Sequence, residues 1–186
     1  MGQSETLSFL LSGDKGSVYL VNENAKFWKL YQMDNGIVKL LYNHEKSMLM
    51  SVTSNNMLGQ YIIRSEIEVK NLMTVKLSGR SNLDFCWIGS GLLAYVGGES
   101  TVRILDIEKD ENFTLNLSTQ MGYIQNETIL SITYSAAKGI IAAGTDRGNI
   151  AMWKFMQNKA INGEPEASWQ LMHAKFLQSM SIVKLK

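Results

Sequence analysis

The chain has 186 residues, enough to bury roughly two thirds of the surface its unfolded form exposes, so a core is available without staples. With 18 Lys and Arg against 17 Asp and Glu, it has no one-signed field of the kind that marks a nucleic-acid or anionic-membrane partner. Its single Cys excludes an internal disulfide framework, and the lack of Cys/His clusters argues against a structural zinc site.

From the start of the chain, Met1 to Glu5 has neither a basic opening nor an apolar core, and no apolar run nears the roughly 20 residues of a membrane span. The expectation is a reduced, cytoplasmic protein without membrane insertion. Gly2 with Thr6 fits the loose N-myristoylation pattern, but Phe9 to Leu11 soon reads as a strand. The first hairpin is LLSGDKGSVYLV, Leu10 to Val21, with Asp14 and Gly16 in its turn. Asp accepts backbone hydrogen bonds locally and Gly supplies positive φ, so the pair lets two strands reverse tightly. Phe27 to Tyr31 follows as a strand.

Ile37 to Tyr42 opens the next group and leads into MLMSVTSNNMLGQYII, Met48 to Ile63, where Asn55 and Gly59 are assigned to the turn. Between them His44 stands beside Glu45. With no nucleophile or second His nearby, a solvated turn describes the pair better than a general base. Leu72 to Leu77 closes this group, and Leu83 to Ile88 opens the third. Cys86 lies between Phe85 and Trp87 in that strand, which reads as core packing rather than a nucleophile. LLAYVGGESTVRILDI, Leu92 to Ile107, is the third hairpin, with Gly98 and Glu99 in the turn. No Gly-Lys-Ser/Thr follows, so the glycines make no phosphate loop. Asp84, Asp106, Glu108 and Asp110 are strand-end acids, solvated or paired with cations such as Arg103 and Lys109.

Phe113 to Leu117 ends that group. The sequons at Asn112, Asn116 and Asn126 are chance matches in polar turns without an entry signal. Ile129 to Tyr134 precedes the fourth hairpin, AAGTDRGNIAMWKF, Ala142 to Phe155, in which Gly144, Asp146 and Gly148 are assigned to the turn. A loop, Gln157 to Ala167, is predicted to hold the single Pro, Pro165, where a missing donor breaks no ladder. Ser168 to Met172 is the last strand of the group, and Met180 to Leu185 reads as the opening of another. His173, isolated like His44, makes no metal site.

Gly16, Gly59, Ser100 and Gly148 fall about 41 to 48 residues apart, near the period of about 40 to 45 expected of WD repeats. Four strands per unit is a propeller blade. The prediction is an all-β WD-repeat propeller of about four blades, residues 1–32, 33–78, 79–118 and 119–173, with 174–186 starting a further blade. Such rings commonly have more blades, so an incomplete propeller is expected, with open strand edges that invite pairing. Trp28, Trp87, Trp153 and Trp169 are read as interblade packing at corresponding strands, and the 11 Met as flexible packing or adaptable partner surface.

LDFCWIGSGLLAYVGGESTVRILDIEKDENFTL and KGIIAAGTDRGNIAMWKF are similar to the late blades of the first propeller in the intraflagellar transport protein 140 family, WD-repeat subunits of intraflagellar transport complex A. The likeness is strongest from Met73 to Phe155 and weaker from Phe9 to Val69. It implies a scaffold without enzyme activity or cofactor. It also implies partners among other complex A subunits and ciliary cargo adaptors, with no nucleic acid, at the cilium and ciliary base in retrograde transport and import of membrane proteins. Leu105-Asp106 and Trp153-Lys154 stand where the repeat has Trp-Asp, and no Gly-His pair opens a blade, so the polar network of many WD blades is not expected. A generic WD adaptor of coat or ubiquitin-ligase machinery is compatible with the same fold. A propeller enzyme or lectin is disfavoured because no His, Arg or carboxylate recurs at matching places.

Overall fold

In the computed structural model, residues 8–65, 68–79, 83–89, 91–107, 109, 111–117, 126–159 and 165–176 are described. They contain fifteen β-strands and no helix. The chain divides into two compact units, Met1–Ser78 and Gly79–Lys186.

The first unit holds two antiparallel sheets. One runs β1 (Ser8–Ser12), β2 (Ser17–Asn22) and β3 (Phe27–Gln32) in order. The other runs β4 (Ile37–Asn43), β5 (Met48–Thr53), β6 (Met57–Ile63) and β7 (Val69–Lys76). Every residue of β5 is buried, including Met48, Met50 and Ser51, as befits a central strand covered on both faces. The unbranched methionines fill irregular space there.

The second unit repeats the four-stranded plan. Its third sheet comprises β8 (Asp84–Ile88), β9 (Leu92–Val96), β10 (Thr101–Asp106) and β11 (Glu111–Asn116). The fourth comprises β12 (Ile129–Ser135), β13 (Ile140–Thr145), β14 (Asn149–Lys159) and β15 (Pro165–Phe176). Ile104, Ile129, Ile141 and Trp153 meet in the core of this unit, and Cys86 packs against them as expected. Sequential antiparallel pairing in every sheet is the meander of a propeller blade, so the fold is all-β and propeller-like.

The first sheet has no counterpart of β4, β8 and β12 among the described residues. Consequently β1, a strand of the kind that is internal elsewhere, lies at an edge with Phe9 and Leu11 exposed.

The long hairpin of the fourth sheet corrects one expectation. The segment Gln157 to Ala167 is not all loop, because β14 continues to Lys159 and β15 begins at Pro165, directly opposite. Pro165 fits because it is the first residue of an edge strand, where its missing N–H removes no needed ladder bond. The tryptophans need correcting too. Trp28 lies in β3, Trp87 in β8, Trp153 in β14 and Trp169 in β15, so they do not share one strand position. Only Trp28 and Trp169 stand in the last strand of their sheets. The predicted strand Met180 to Leu185 lies outside the described residues.

Candidate functional site

The turn residues show what the repeated sequence positions do. Gly16 and Gly148 have φ of 82° and 80°, and each immediately precedes the strand that returns from the turn. At the equivalent place in the second sheet stands Asn56, with φ of 64°. Asn is among the few side-chain-bearing residues that adopt this conformation readily. Asp14, Asn55, Gly98, Glu99 and Asp146 also lie between strands. The third turn differs in shape, because its positive φ falls at Gly98, two residues before Ser100.

Two assigned turn residues are not in turns. Gly59 lies inside β6, and a Cβ there would come within 2.7 Å of the Tyr61 ring. Its small size makes room for that ring, which stacks on Tyr31 at 3.7 Å between centroids. Gly144 lies in β13, paired with Ile150. Both glycines belong to ladders, so the turns are shorter than expected by the few residues that β6 and β13 take up.

A shared bond pattern ties each of the first three turns to the end of its sheet. The carbonyls of Gly16, Asn56 and Ser100 accept from the N–H groups of Met33, Leu77 and Leu117, the residues that follow β3, β7 and β11. Two threonines do related work that the sequence reading missed. The Thr53 hydroxyl accepts from the Met57 N–H at 3.0 Å, and Thr145 accepts from Asn149 at 3.1 Å. The signal was present as Thr four residues before the returning strand. In the fourth turn, Asp146 accepts from the Thr128 N–H, and Asn149 donates to the buried Glu127 carboxylate at 2.8 Å.

The acids also have structural partners. Arg103 pairs with Glu99 at 2.7 Å and Lys109 with Asp106 at 3.8 Å. Asp84, expected to be solvated or paired with a cation, also accepts from the Ile132 N–H of β12 at 3.1 Å. Strand β12 is an edge, so a carboxylate from the neighbouring sheet occupies a donor that would otherwise face no ladder partner. His44 stands in a turn with its ring edge-on to Tyr42, and His173 lies in β15 opposite Met152. Among the described residues, no three His, Cys, Asp or Glu side chains converge on a metal position.

Two concave surfaces among the described residues could take a ligand or partner. In the first unit a polar hollow of about 350 Å³ is lined by Asp34, Asn35, Thr53, Asn55, Asn71 and neighbours. Beside it, Tyr31 is hydrogen-bonded to Ser51, and burial pushes its phenol well above the ordinary value. In the second unit a groove of about 530 Å³ lies between the third and fourth sheets. Leu92, Asp106 and Glu111 form one row across β9, β10 and β11, and Phe113 and Leu115 follow Glu111 at alternate positions on its face. The opposite wall is Phe155 and its cross-strand partner Trp169, whose rings lie 5.3 Å apart. Phe113 and Phe155 are 39% and 40% exposed, too open for core residues of this size. Trp169 was taken as a packing residue in the sequence, and it meets Phe113 and Phe155 at the groove only through tertiary structure.

The model of the IFT140 first beta-propeller family matches residues 1–186, the whole chain. Among solved structures, a chain of the crystal structure of a mitotic checkpoint complex is similar with a TM-score of 0.65 and 14% identity. The match covers 98% of this chain and 54% of that one, so this chain spans about half its length. At that identity the likeness concerns the fold alone. The four sheets fit part of a propeller.

Proposed function

Since the chain belongs to the IFT140 first beta-propeller family, we propose that it is a non-catalytic scaffold of intraflagellar transport complex A. In this reading it supports retrograde ciliary transport and the import of membrane proteins. Its partners are other subunits of the complex and ciliary cargo adaptors, and its location is the cytoplasm at the ciliary base and the cilium. Residues 1–32, 33–78, 79–118 and 119–173 act as blade units, with 174–186 beginning another. The family match over the full chain carries the reading. The geometry supports it, because the polar side chains at the turns are engaged in holding backbone while the exposed aromatic groove offers contact surface.

Affinity purification of the tagged chain from ciliated cells tests the proposal. Recovery of complex A subunits, with the tag at the ciliary base, is the expected result. Recovery of coat or ubiquitin-ligase subunits in their place would transfer the chain to a generic adaptor role.

A further inference from the structure

The groove of the second unit has a chemical character that narrows what it can hold. Its walls are aromatic and aliphatic, but one end carries the row Leu92, Asp106 and Glu111. Asp106 is already engaged, accepting from the Lys109 backbone N–H at 3.2 Å and facing the Lys109 ammonium. The Glu111 carboxylate has no ion-pair partner among the described residues. The charged residues lining the groove are Asp106, Lys109 and Glu111, so with Asp106 and Lys109 facing each other the Glu111 carboxylate sets the charge of that end. A carboxylate without an ion-pair partner beside open aromatic faces disfavours phosphate and favours a cation that is itself weakly hydrated.

Arginine meets those requirements. Its planar guanidinium stacks on aromatic rings and pairs two-pronged with a carboxylate, which an ammonium does less well. A large apolar neighbour on the same peptide covers the Phe113, Phe155 and Trp169 surface. Aromatic and arginine anchors in a desolvated pocket carry most of the energy in protein interfaces.

We propose that this groove docks a partner protein segment presenting arginine next to a large apolar side chain, with Glu111 holding the arginine and Phe113, Phe155 and Trp169 holding the apolar group. The proposal rests on the scaffold reading and specifies the partner chemistry of one surface.

The test uses the full chain and fluorescein-labelled octapeptides read by anisotropy. The probe is Ser-Leu-Arg-Phe-Arg-Leu-Gly-Ser, with one control in which both arginines are glutamate and another in which both leucines and the phenylalanine are serine. The arginine probe is expected to bind at least about tenfold more tightly than either control, a difference of about 1.4 kcal/mol. Glu111→Lys and Phe155→Ser should each weaken it by about as much, while Phe27→Ser, in the other unit, leaves it unchanged. Melting midpoints of all variants establish that they are folded. If Phe155→Ser fails to fold, Glu111→Lys, on an exposed residue, decides alone.

Equal binding of the glutamate peptide, insensitivity to Glu111→Lys, or no binding of the arginine probe would overturn the assignment. So would phosphatidylserine vesicle binding, or self-association of the chain, that Phe155→Ser abolishes while peptide binding persists. A chain that recovers complex A subunits yet shows any of these results refutes the groove and leaves the scaffold intact. One that binds the probe as expected but recovers no such subunit refutes the scaffold reading.

Discussion

At the scale of single residues, the backbone conformation of the turns and the burial of two tyrosines make separate predictions. Gly148 sits at φ 80°, where a β-branched side chain is strained. Gly148→Val should therefore destabilise the chain by about 1 to 3 kcal/mol, read as a lowered melting midpoint. Gly16 is under a further constraint, because a Cβ there would run into the backbone carbonyls of Met33 and Asn35. Tyr31 has a pH signature. Desolvation raises its folded-state pKa above the ordinary 10.0, against the lowering effect of the Ser51 hydrogen bond. Above pH about 10 the unfolded chain releases this proton while the folded chain retains it, so stability present below that pH is lost as pH rises. Burial shifts Tyr61 in the same direction. Denaturant unfolding should show a falling midpoint in alkali that becomes shallower in Tyr31→Phe. That variant should also lose about 1 kcal/mol at neutral pH with the Ser51 bond. An alkaline slope identical to that of the unsubstituted chain would show that Tyr31 does not titrate with unfolding.

Among the elements, the strand pairs that hold an edge closed are the most exposed to single substitutions. Asp84→Ala removes the acceptor of the Ile132 N–H, and a half-buried donor left unpaired costs about 1 to 3 kcal/mol. Faster hydrogen exchange at Ile132, together with a lower midpoint, is the expected outcome. Exchange unchanged at that amide would mean that water replaces the carboxylate without cost. The hairpins themselves were legible in the sequence, because Asp14 to Gly16 and Asp146 to Gly148 carry the turn chemistry within four residues. Gly59 and Gly144 were misplaced because glycine announces either a turn or a close approach. Only the Tyr61 ring, two residues beyond Gly59, distinguishes the cases. The extension of β14 and β15 through Asn158, Lys159 and Pro165 was hidden for another reason. Polar residues without alternation form strands there because each has a partner opposite, and pairing is not written in either strand alone. The groove was illegible likewise, since the strand positions of Phe113 and Phe155 do not tell that both are exposed on facing sheets.

For the whole molecule, the first sheet is the site of greatest liability. With β1 at its edge and Phe9 and Leu11 exposed, the first sheet offers, among the described residues, a ladder without a further strand beside apolar surface. Concentration-dependent association is expected in sedimentation velocity, reduced by Leu11→Lys, because a lysine on an edge strand discourages pairing. A monomer at all concentrations would show that this edge is otherwise protected. The bonds from Met33, Leu77 and Leu117 back to Gly16, Asn56 and Ser100 have a different consequence. Each joins the two ends of a two-strand hairpin within one sheet, so its amide is released only when that hairpin opens. Three protons at known places thus serve as separate clocks for the first three sheets, and their deuteration rates would distinguish piecemeal opening from a single collective event.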